Sequence, residues 1–202
     1  MVNVRRAAAR SLSRLPKRAL RRMAGDPLVI DGRTFDHQLQ AFATQALNQA
    51  GDADLSPEGM RDGFHELAAI TNPSPVASVA THDRTIAGSG GSLPVRIYHP
   101  PSAEGSAPGI VWFHQGGGVI GDLDTDHPLC TQLAERCGAV GVSVDYRLAP
   151  EHKFPAGIDD AAAAYQWVLD HADGLGIDPA RVAVAGTSQG GTYAAVICQE
   201  RR

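Results

Sequence analysis

A serine set between glycines is the residue whose surroundings most strongly suggest chemistry. Residues 186–191 read Gly-Thr-Ser-Gln-Gly-Gly, so Ser188 lies in a G-x-S-x-G pattern with Gly186 and Gly190 on either side. An apolar run precedes this pattern and a helix-forming run follows it, which predicts a sharp strand-to-helix turn. Such a turn strains the backbone at the serine and directs its hydroxyl toward a substrate, whereas an ordinary glycine-rich turn has no such role. We interpret Ser188 as a nucleophile.

A second glycine-rich segment could stabilise the negative charge that acyl transfer creates. Residues 114–118 read His-Gln-Gly-Gly-Gly at the end of another apolar run. Backbone without side chains can approach a carbonyl oxygen closely, and the N–H of Gln189 at a helix start would lie beside the same oxygen. The alternatives are a flexible turn or a phosphate cradle, but no P-loop lysine follows the glycines. The segment is therefore interpreted as part of an oxyanion hole.

These two segments need a scaffold that brings them to one edge. Short apolar runs alternate with helical stretches, which predicts an α/β fold with a mostly parallel sheet and flanking helices. Because carboxyl ends of parallel strands meet at one crevice, the two glycine segments are expected to face each other. The predicted strands are 76–86 and 93–98, paired antiparallel, then 109–113, 139–144 and 182–185; the predicted helices are 128–137 and 158–171.

The chain before this scaffold has a helical pattern. Apolar residues recur at helical spacing between 34 and 70, with a break at 51–52 and a new helix start at Ser56 and Pro57. Prolines at 73 and 75 then form a linker. We predict a basic arm at 1–33, a helical cap segment at 34–75, and a partial catalytic domain at 76–202.

Composition and charge limit the classes of partner. Of the 202 residues, 43% are hydrophobic and 20% charged, as in a globular protein. Eight basic residues precede the first acidic one, Asp26: Arg5, Arg6, Arg10, Arg14, Lys17, Arg18, Arg21 and Arg22. The remaining body is acidic, which argues against nucleic acid as a partner. The arm is interpreted as a frayed, solvated helix interrupted at Pro16, or as a weak contact with a membrane surface.

Location and cofactors are predicted from what the sequence lacks. No apolar run is long enough to span a bilayer, and the basic start leads into no apolar signal region, so a cytoplasmic location is expected. The three cysteines have no metal-ligand spacing. Neither a metal nor another cofactor is expected.

A third motif completes a family resemblance. Residues 145–156 read Asp-Tyr-Arg-Leu-Ala-Pro-Glu-His-Lys-Phe-Pro-Ala, and His114 opens a segment similar to H-G-G-G. With the serine turn, these motifs resemble the hormone-sensitive-lipase family of bacterial esterases, which have an α/β-hydrolase fold. The resemblance extends from about residue 34 onward. It implies hydrolysis of a small acyl ester through an acyl-Ser188 intermediate, with N–H groups of Gly116, Gly117 and Gln189 in the oxyanion hole and the helices before Pro73 in a lid.

Two positions depart from the family pattern. Gln115 replaces the first glycine of H-G-G-G, and Gly118 stands where the family usually has a bulky residue. If the first glycine position requires a positive φ, Gln115 is expected to be strained.

The charged residues of the motifs also allow structural interpretations. Arg147 and Glu151 are expected to form an ion pair within their loop, and Asp145 to anchor it. His152 precedes the serine, while this fold takes its base from after it. Asp126 is expected to cap the helix that follows.

The residues after Ser188 contain no histidine and one acid, Glu200, which lies too far along the nucleophile helix to orient a base. We therefore expect a fold that is incomplete at the C-terminus and a chain that alone is inactive or very weak. The alternative is a non-catalytic truncated fragment or a partner-dependent module, with self-association through the open edge of the strand at 182–185.

Overall fold

The computed structural model describes residues 15–49 and 54–200 of the chain. The helices are α1 Lys17–Ala24, α2 His37–Gln49, α3 Pro57–Thr71, α4 His127–Cys137, α5 Ala156–Asp170, α6 Ala172–Leu175 and α7 Gln189–Glu200. The strands are β1 Val29–Ile30, β2 Arg33–Thr34, β3 Ala80–Gly88, β4 Gly91–His99, β5 Ala107–Phe113, β6 Val140–Val144 and β7 Ile177–Gly186.

Five strands form the main sheet in the order β3-β4-β6-β5-β7. β5 pairs parallel with both β6 and β7, while β4 pairs antiparallel with β3 and β6. The predicted antiparallel hairpin and the predicted parallel strands are thus confirmed. The carboxyl ends of β5 and β7 are neighbours, because Phe113 is in register with Gly186. This register brings the two glycine segments to the same edge.

Helices cover both faces of the sheet because the strand side chains alternate between them. On β5, Val111 and Phe113 belong to the larger apolar cluster, which packs against α5, α6 and α7. Trp112 between them belongs to a second cluster, with Cys130 and Ala134 of α4. Burial of each such large side chain contributes roughly 1.5–3 kcal/mol. The strand that carries residues 114–118 is therefore fixed from both sides.

The N-terminal elements form a small unit of their own. Leu20 and Ala24 of α1 bury against Ala41 of α2, and Leu20 is only 1% exposed. The four basic residues of α1 are exposed, in agreement with the solvated interpretation of the arm, whereas the apolar face of α1 is docked. The frayed part of that interpretation falls on residues 1–14, which lie outside the described residues. β1 and β2 are joined by Asp31 and Gly32, which both have a positive φ, as a two-residue hairpin turn requires.

The helix α3, which the sequence predicts to begin at Ser56 and Pro57, starts as predicted. Ser56 is its N-cap and accepts a hydrogen bond from the Gly59 N–H at 3.1 Å, and Pro57 occupies the first turn. The predicted break at 51–52 lies outside the described residues. Of the helices in the described part of the chain, none is both long and apolar enough to cross a bilayer.

Candidate active site

The turn between β7 and α7 has a strained backbone at Ser188. Its φ is +53°, and among the described residues the only other non-glycine with a positive φ is Asp31. A non-glycine residue in this region typically costs about 1–3 kcal/mol. The turn is held by hydrogen bonds from the Gly190 N–H to the Thr187 carbonyl and from the Thr192 N–H to the Ser188 carbonyl. Ser188 is exposed at the start of the helix, as a nucleophile at a sharp turn must be.

The flanking glycines allow this turn to pack against the end of β5. A Cβ at Gly190 would collide with the carbonyl group of Phe113, and one at Gly186 would collide with the carbonyl group of Gly190. The Thr187 N–H also donates to the Phe113 carbonyl oxygen at 3.4 Å. Gly186 and Gly190 are thus required by close backbone contact, not only by the flexibility of the turn.

Residues 114–118 form a tight loop at the end of β5. Gly116, Gly117 and Gly118 have φ values of +129°, +63° and +73°, while Gln115 is not among the residues with a positive φ. The expected strain at Gln115 is therefore wrong, since the positive φ values begin one residue later. The N–H groups of Val119 and Ile120 both donate to the Gly116 carbonyl oxygen at 3.0 Å. These two bonds close the loop on itself.

This loop and the serine turn lie side by side. A Cβ on Gly118 would lie 4.0 Å from Cγ of Gln189 and 3.6 Å from Oη of Tyr193. Gly117, Gly118 and Gln189 line one depression of about 280 Å³, together with Tyr193, Ile158 and Val196. The structure thus brings Gly117 and Gln189 to one surface, with Gly116 and Ser188 adjacent to them in sequence. The roles assigned to these residues in the oxyanion hole stay predictions.

Two stacked rings fix the start of the loop. His114 is fully buried, its ring stacks on Tyr146 at 4.1 Å, and its Nδ1 donates to the Gln115 carbonyl oxygen at 2.8 Å. The Tyr146 hydroxyl donates to the His114 carbonyl oxygen at 2.7 Å. Burial lowers the pKa of His114 and raises that of Tyr146, so both side chains are held in their neutral forms. His114 therefore supports the motif and is not free to act as a base.

A buried carboxylate provides another anchor. Asp126 is 3% exposed, and its Oδ2 accepts a hydrogen bond from the Trp112 Nε1–H at 2.8 Å. Burial raises the pKa of Asp126, while hydrogen bonds from Trp112 and from the Gln115 backbone lower it. The predicted capping role is wrong, because its side chain makes no cap hydrogen bond to α4. Asp126 instead holds the end of β5 and the first residue of the glycine loop.

The predicted ion pair between Arg147 and Glu151 is also wrong. The Arg147 guanidinium turns toward α5, where its Nε and Nη2 donate to the carboxylate of Asp160 at 2.7 and 2.9 Å. Asp160 lies within α5 and is 1% exposed, so this pair has a buried partner that a motif reading does not reveal. Glu151 points the other way, toward α3, and accepts hydrogen bonds from Arg61 at 2.8 Å on both carboxylate oxygens.

Asp145 is attached to the sheet by its backbone. Its N–H donates to the Pro94 carbonyl oxygen at 3.0 Å, whereas its carboxyl group makes no hydrogen bond within the described residues. Burial, with the nearby charges of Asp122 and Asp124, raises the pKa of Asp145 to about 6. The predicted anchoring is therefore made by the peptide group and not by the carboxylate.

Arg61 was missed by reasoning from the sequence. It lies on α3, far from every motif, and its guanidinium reaches both motif loops, donating to the Val119 carbonyl oxygen at 2.9 Å and to the Ala149 carbonyl oxygen at 3.1 Å. Its spacing on the helix carries no signal of this role, because the recipients are backbone groups distant in sequence.

The described part of the chain holds no base in contact with the serine. The exposed His152 lines the depression, but no described side chain makes a hydrogen bond to the Ser188 hydroxyl. Glu200 lies at the far end of α7, as predicted. Within residues 15–49 and 54–200, no group of three or more His, Cys, Asp or Glu side chains is placed to hold a metal ion.

Comparisons with known proteins agree with this architecture. Residues 110–202 match the family model described as alpha/beta hydrolase fold. The chain is 52% identical over 122 residues to esterase LipI of Mycobacterium tuberculosis, covering 59% of this chain and 38% of the relative. It is 39% identical over 182 residues to carboxylic ester hydrolase LipN of the same organism, covering 89% of this chain and 48% of the relative.

A solved structure is similar as well. The hyperthermophilic esterase from the archaeon Pyrobaculum calidifontis superposes with a TM-score of 0.67 at 38% identity, over 78% of this chain and 53% of that one. The chain thus spans about half the length of the relatives it matches or less. The predicted α/β-hydrolase fold and the resemblance to esterases are confirmed.

Proposed function

We propose that the chain carries the nucleophile and oxyanion half of a carboxylic ester hydrolase that acts through an acyl-serine intermediate. The observation behind this proposal is Ser188, an exposed hydroxyl at φ +53° beside three consecutive glycines with positive φ. The strain at Ser188 is of the kind that collects where a reacting group must be aimed. Similarity to proteins named esterases supports the same chemistry.

The reaction follows from this arrangement. Oγ of Ser188 gives its proton to a general base and attacks the ester carbonyl carbon, and the carbonyl oxygen becomes an oxyanion that accepts hydrogen bonds from the N–H groups of Gly116, Gly117 and Gln189. The carbon–oxygen bond to the alcohol then breaks and the alcohol leaves with that proton. The acyl group stays on Ser188 until water displaces it as a carboxylic acid. One lost oxyanion donor costs about 3 kcal/mol of transition-state stabilisation. The α7 N-terminus adds a favourable dipole at the same place.

The substrate class is a small acyl ester without a required charge. The depression beside Gln189 has a volume of about 280 Å³ and is lined largely by apolar and backbone groups. A pocket of this size accommodates a short chain. No metal or other cofactor enters the proposed reaction.

The experiment measures acylation of the serine directly. The chain is incubated with p-nitrophenyl acetate, with and without free imidazole as a surrogate base, and the acetyl group is located by peptide mass spectrometry. We expect slow acetylation of Ser188 that imidazole accelerates, because Oγ is a weak nucleophile until it is deprotonated. Ser188→Ala must abolish the signal, whereas Ser102→Ala, at an exposed serine that does not line the depression, must retain it. Acetylation confined to other residues would refute the proposal.

A second candidate is a partner-dependent module. β7 pairs with β5 on one side, and within the described residues no strand pairs with its other side. An unpaired edge can accept another strand, including that of a second copy. We expect concentration-dependent self-association in sedimentation velocity, reduced by Ala183→Lys at the exposed middle of β7. A monomer at all concentrations would contradict this candidate.

The N-terminal unit supports a weak contact with an anionic membrane surface. Leu28, Val29 and Ile30 are 47%, 56% and 60% exposed, and they follow α1, which has four basic residues and no acidic one. Exposed apolar groups beside positive charge fit lipid headgroups and acyl chains better than a purely charged polymer. We expect flotation with phosphatidylglycerol-containing vesicles at low salt, and its loss in the double variant Val29→Ser, Ile30→Ser. A cytoplasmic location stays a prediction.

A further inference from the structure

The side chain of Arg61 joins the cap helix α3 to both motif loops. Its Nε donates to the Val119 carbonyl oxygen at 2.9 Å and its Nη2 to the Ala149 carbonyl oxygen at 3.1 Å. Nη1 and Nη2 also donate to the two carboxylate oxygens of Glu151, each at 2.8 Å. The side chain is 27% exposed. One guanidinium therefore holds two loops that are adjacent in space and separate in sequence.

The two carbonyl groups lie next to the glycines of the oxyanion loop. Val119 follows Gly118 directly, and its N–H donates to the Gly116 carbonyl oxygen at 3.0 Å. The Ala149 N–H donates to the Gly118 carbonyl oxygen at 2.7 Å. Arg61 is thus connected to Gly116 through Val119 and to Gly118 through Ala149, with one intervening residue in each case. A displacement of Arg61 would act on the peptide planes at 116–118 through two short connections.

A second residue of α3 repeats this contact one helical turn further on. His65 Nε2 lies 2.6 Å from Oδ2 of Asp122, which follows the same glycine loop. Residues four apart lie on one face of a helix, so Arg61 and His65 present a single face of α3 to the loop. The helix α3 therefore contacts the residues that follow the glycine loop at two points, through Arg61 and through His65.

We propose that Arg61 is a positioning residue for the oxyanion loop, holding residues 116–118 in donor geometry only while the cap helix α3 is seated. This inference rests on the proposed ester-hydrolase function. Only arginine fits the role, because its planar fork reaches the two carbonyls and the carboxylate at once, whereas a lysine ammonium has a single centre. The carbonyl contacts matter more than the ion pair, since Glu151 has a 46% exposed side chain and exposed pairs contribute little.

The experiment compares hydrogen exchange with acylation in the full chain. Amide exchange is measured for peptides spanning 115–121 and, as an internal reference, 186–192, in the parent and in Arg61→Ala, Arg61→Lys and Glu151→Gln. Asp62→Ala, an exposed neighbour on α3, is the matched control. We expect at least a tenfold faster exchange at 115–121 in Arg61→Ala, several-fold in Arg61→Lys, and little change in Glu151→Gln or Asp62→Ala. The reference peptide should keep its protection.

The second readout separates positioning from general stability. With p-nitrophenyl acetate and imidazole, Arg61→Ala and Arg61→Lys should acetylate Ser188 at least tenfold more slowly at saturating ester, with an unchanged half-saturating concentration. If Arg61→Ala loses protection in both peptides, it is unfolded, and Arg61→Lys decides. Unchanged exchange at 115–121 in Arg61→Lys, or equal effects in Glu151→Gln, would overturn the inference. A parent that never acetylates Ser188 while Arg61→Lys still loosens 115–121 would refute the esterase function and leave the mechanical coupling intact.

Discussion

The serine turn and the glycine loop lie side by side at one depression, yet they are stabilised in different ways. The turn at 186–191 is held by backbone hydrogen bonds and by glycines whose neighbours leave no room for a Cβ. The loop at 114–118 is held by its own His114 and by side chains from three other places, namely Tyr146, Asp126 and Arg61. The position of Ser188 therefore depends on local chain geometry, while the positions of the glycine N–H groups at 116–118 depend on tertiary packing.

This difference predicts how substitutions in the turn at 186–191 and around the loop at 114–118 act. Substitutions in the turn act by steric collision and cannot be relieved by a partner elsewhere. Substitutions around the loop remove hydrogen bonds or charges and should leave the turn intact. The turn also contains no ionisable side chain, whereas the surroundings of the loop contain several. Four measurements can test this separation, in order of decreasing effect.

Replacing Gly190 by valine should have the largest effect. Its Cβ would collide with the carbonyl group of Phe113, so β5 and α7 must separate. We expect a loss of at least about 3 kcal/mol in the free energy of unfolding, measured by urea denaturation. Gly174→Ala is the matched control, since nothing lies within 4 Å of a Cβ at that position. A stable Gly190→Val variant would show that the turn is less tightly packed than this contact requires.

Removal of the Asp126 carboxylate should have the next largest effect, confined to the loop. Asp126→Ala leaves the Trp112 N–H without its buried acceptor, which costs roughly 2–3 kcal/mol. Asp126→Asn keeps an oxygen for that bond and should lose about half as much. Hydrogen exchange should increase at 112–118 but not at 186–192. Equal loosening of both segments would contradict the separation between turn and loop.

A pH dependence should distinguish the loop side of the site. Asp145 has a pKa raised from its ordinary value of 3.8 to about 6, so between these values the unfolded chain releases a proton that the folded chain retains. Its contribution to stability therefore falls as the pH rises from about 4 to about 6, by roughly 2 kcal/mol. Asp145→Asn should lack this fall when unfolding free energies are compared at pH 4 and pH 7. Parallel profiles for parent and variant would show that Asp145 is not perturbed.

The smallest effect should be a gain in stability. Ser188→Gly removes the strain of a positive φ in the folded protein, which stabilises it. Glycine also increases the conformational entropy of the unfolded chain, which offsets part of this gain and leaves a net increase of about 1 kcal/mol in the free energy of unfolding. Thr192→Gly, within α7, should instead lose about 0.3 kcal/mol, the difference between the helix propensities of threonine and glycine. Thermal unfolding of the two variants gives opposite shifts if the strain at Ser188 is real. A loss in both would mean that the turn stores no strain at the serine.

Prediction from the sequence succeeded where structure is local. The strands, the helices and the turn at Ser188 follow from apolar runs, glycines and caps that are close together in the chain. The ion pairs did not follow, because Arg147 and Glu151 are near in sequence but take partners on different helices, α5 and α3. The contact between Arg61 and Glu151 spans 90 positions, and no pattern along the chain encodes it. Strain was expected at Gln115, but the positive φ values begin at Gly116, where glycine adopts them without a steric cost.

Trp112 links two regions that would otherwise be independent. Its ring packs with Cys130 and Ala134 under α4, on the face of the sheet opposite α7, while its N–H bonds to the carboxylate beside the glycine loop. Packing beneath α4 is thereby coupled to the glycine loop at 114–118. For the proposed ester hydrolysis, small changes in volume beneath α4 are therefore expected to alter the rate of acyl transfer, although Cys130 and Ala134 do not line the depression beside Gln189. Kinetic measurements on variants of Cys130 and Ala134 would test this coupling, because neither side chain takes part in the proposed chemistry.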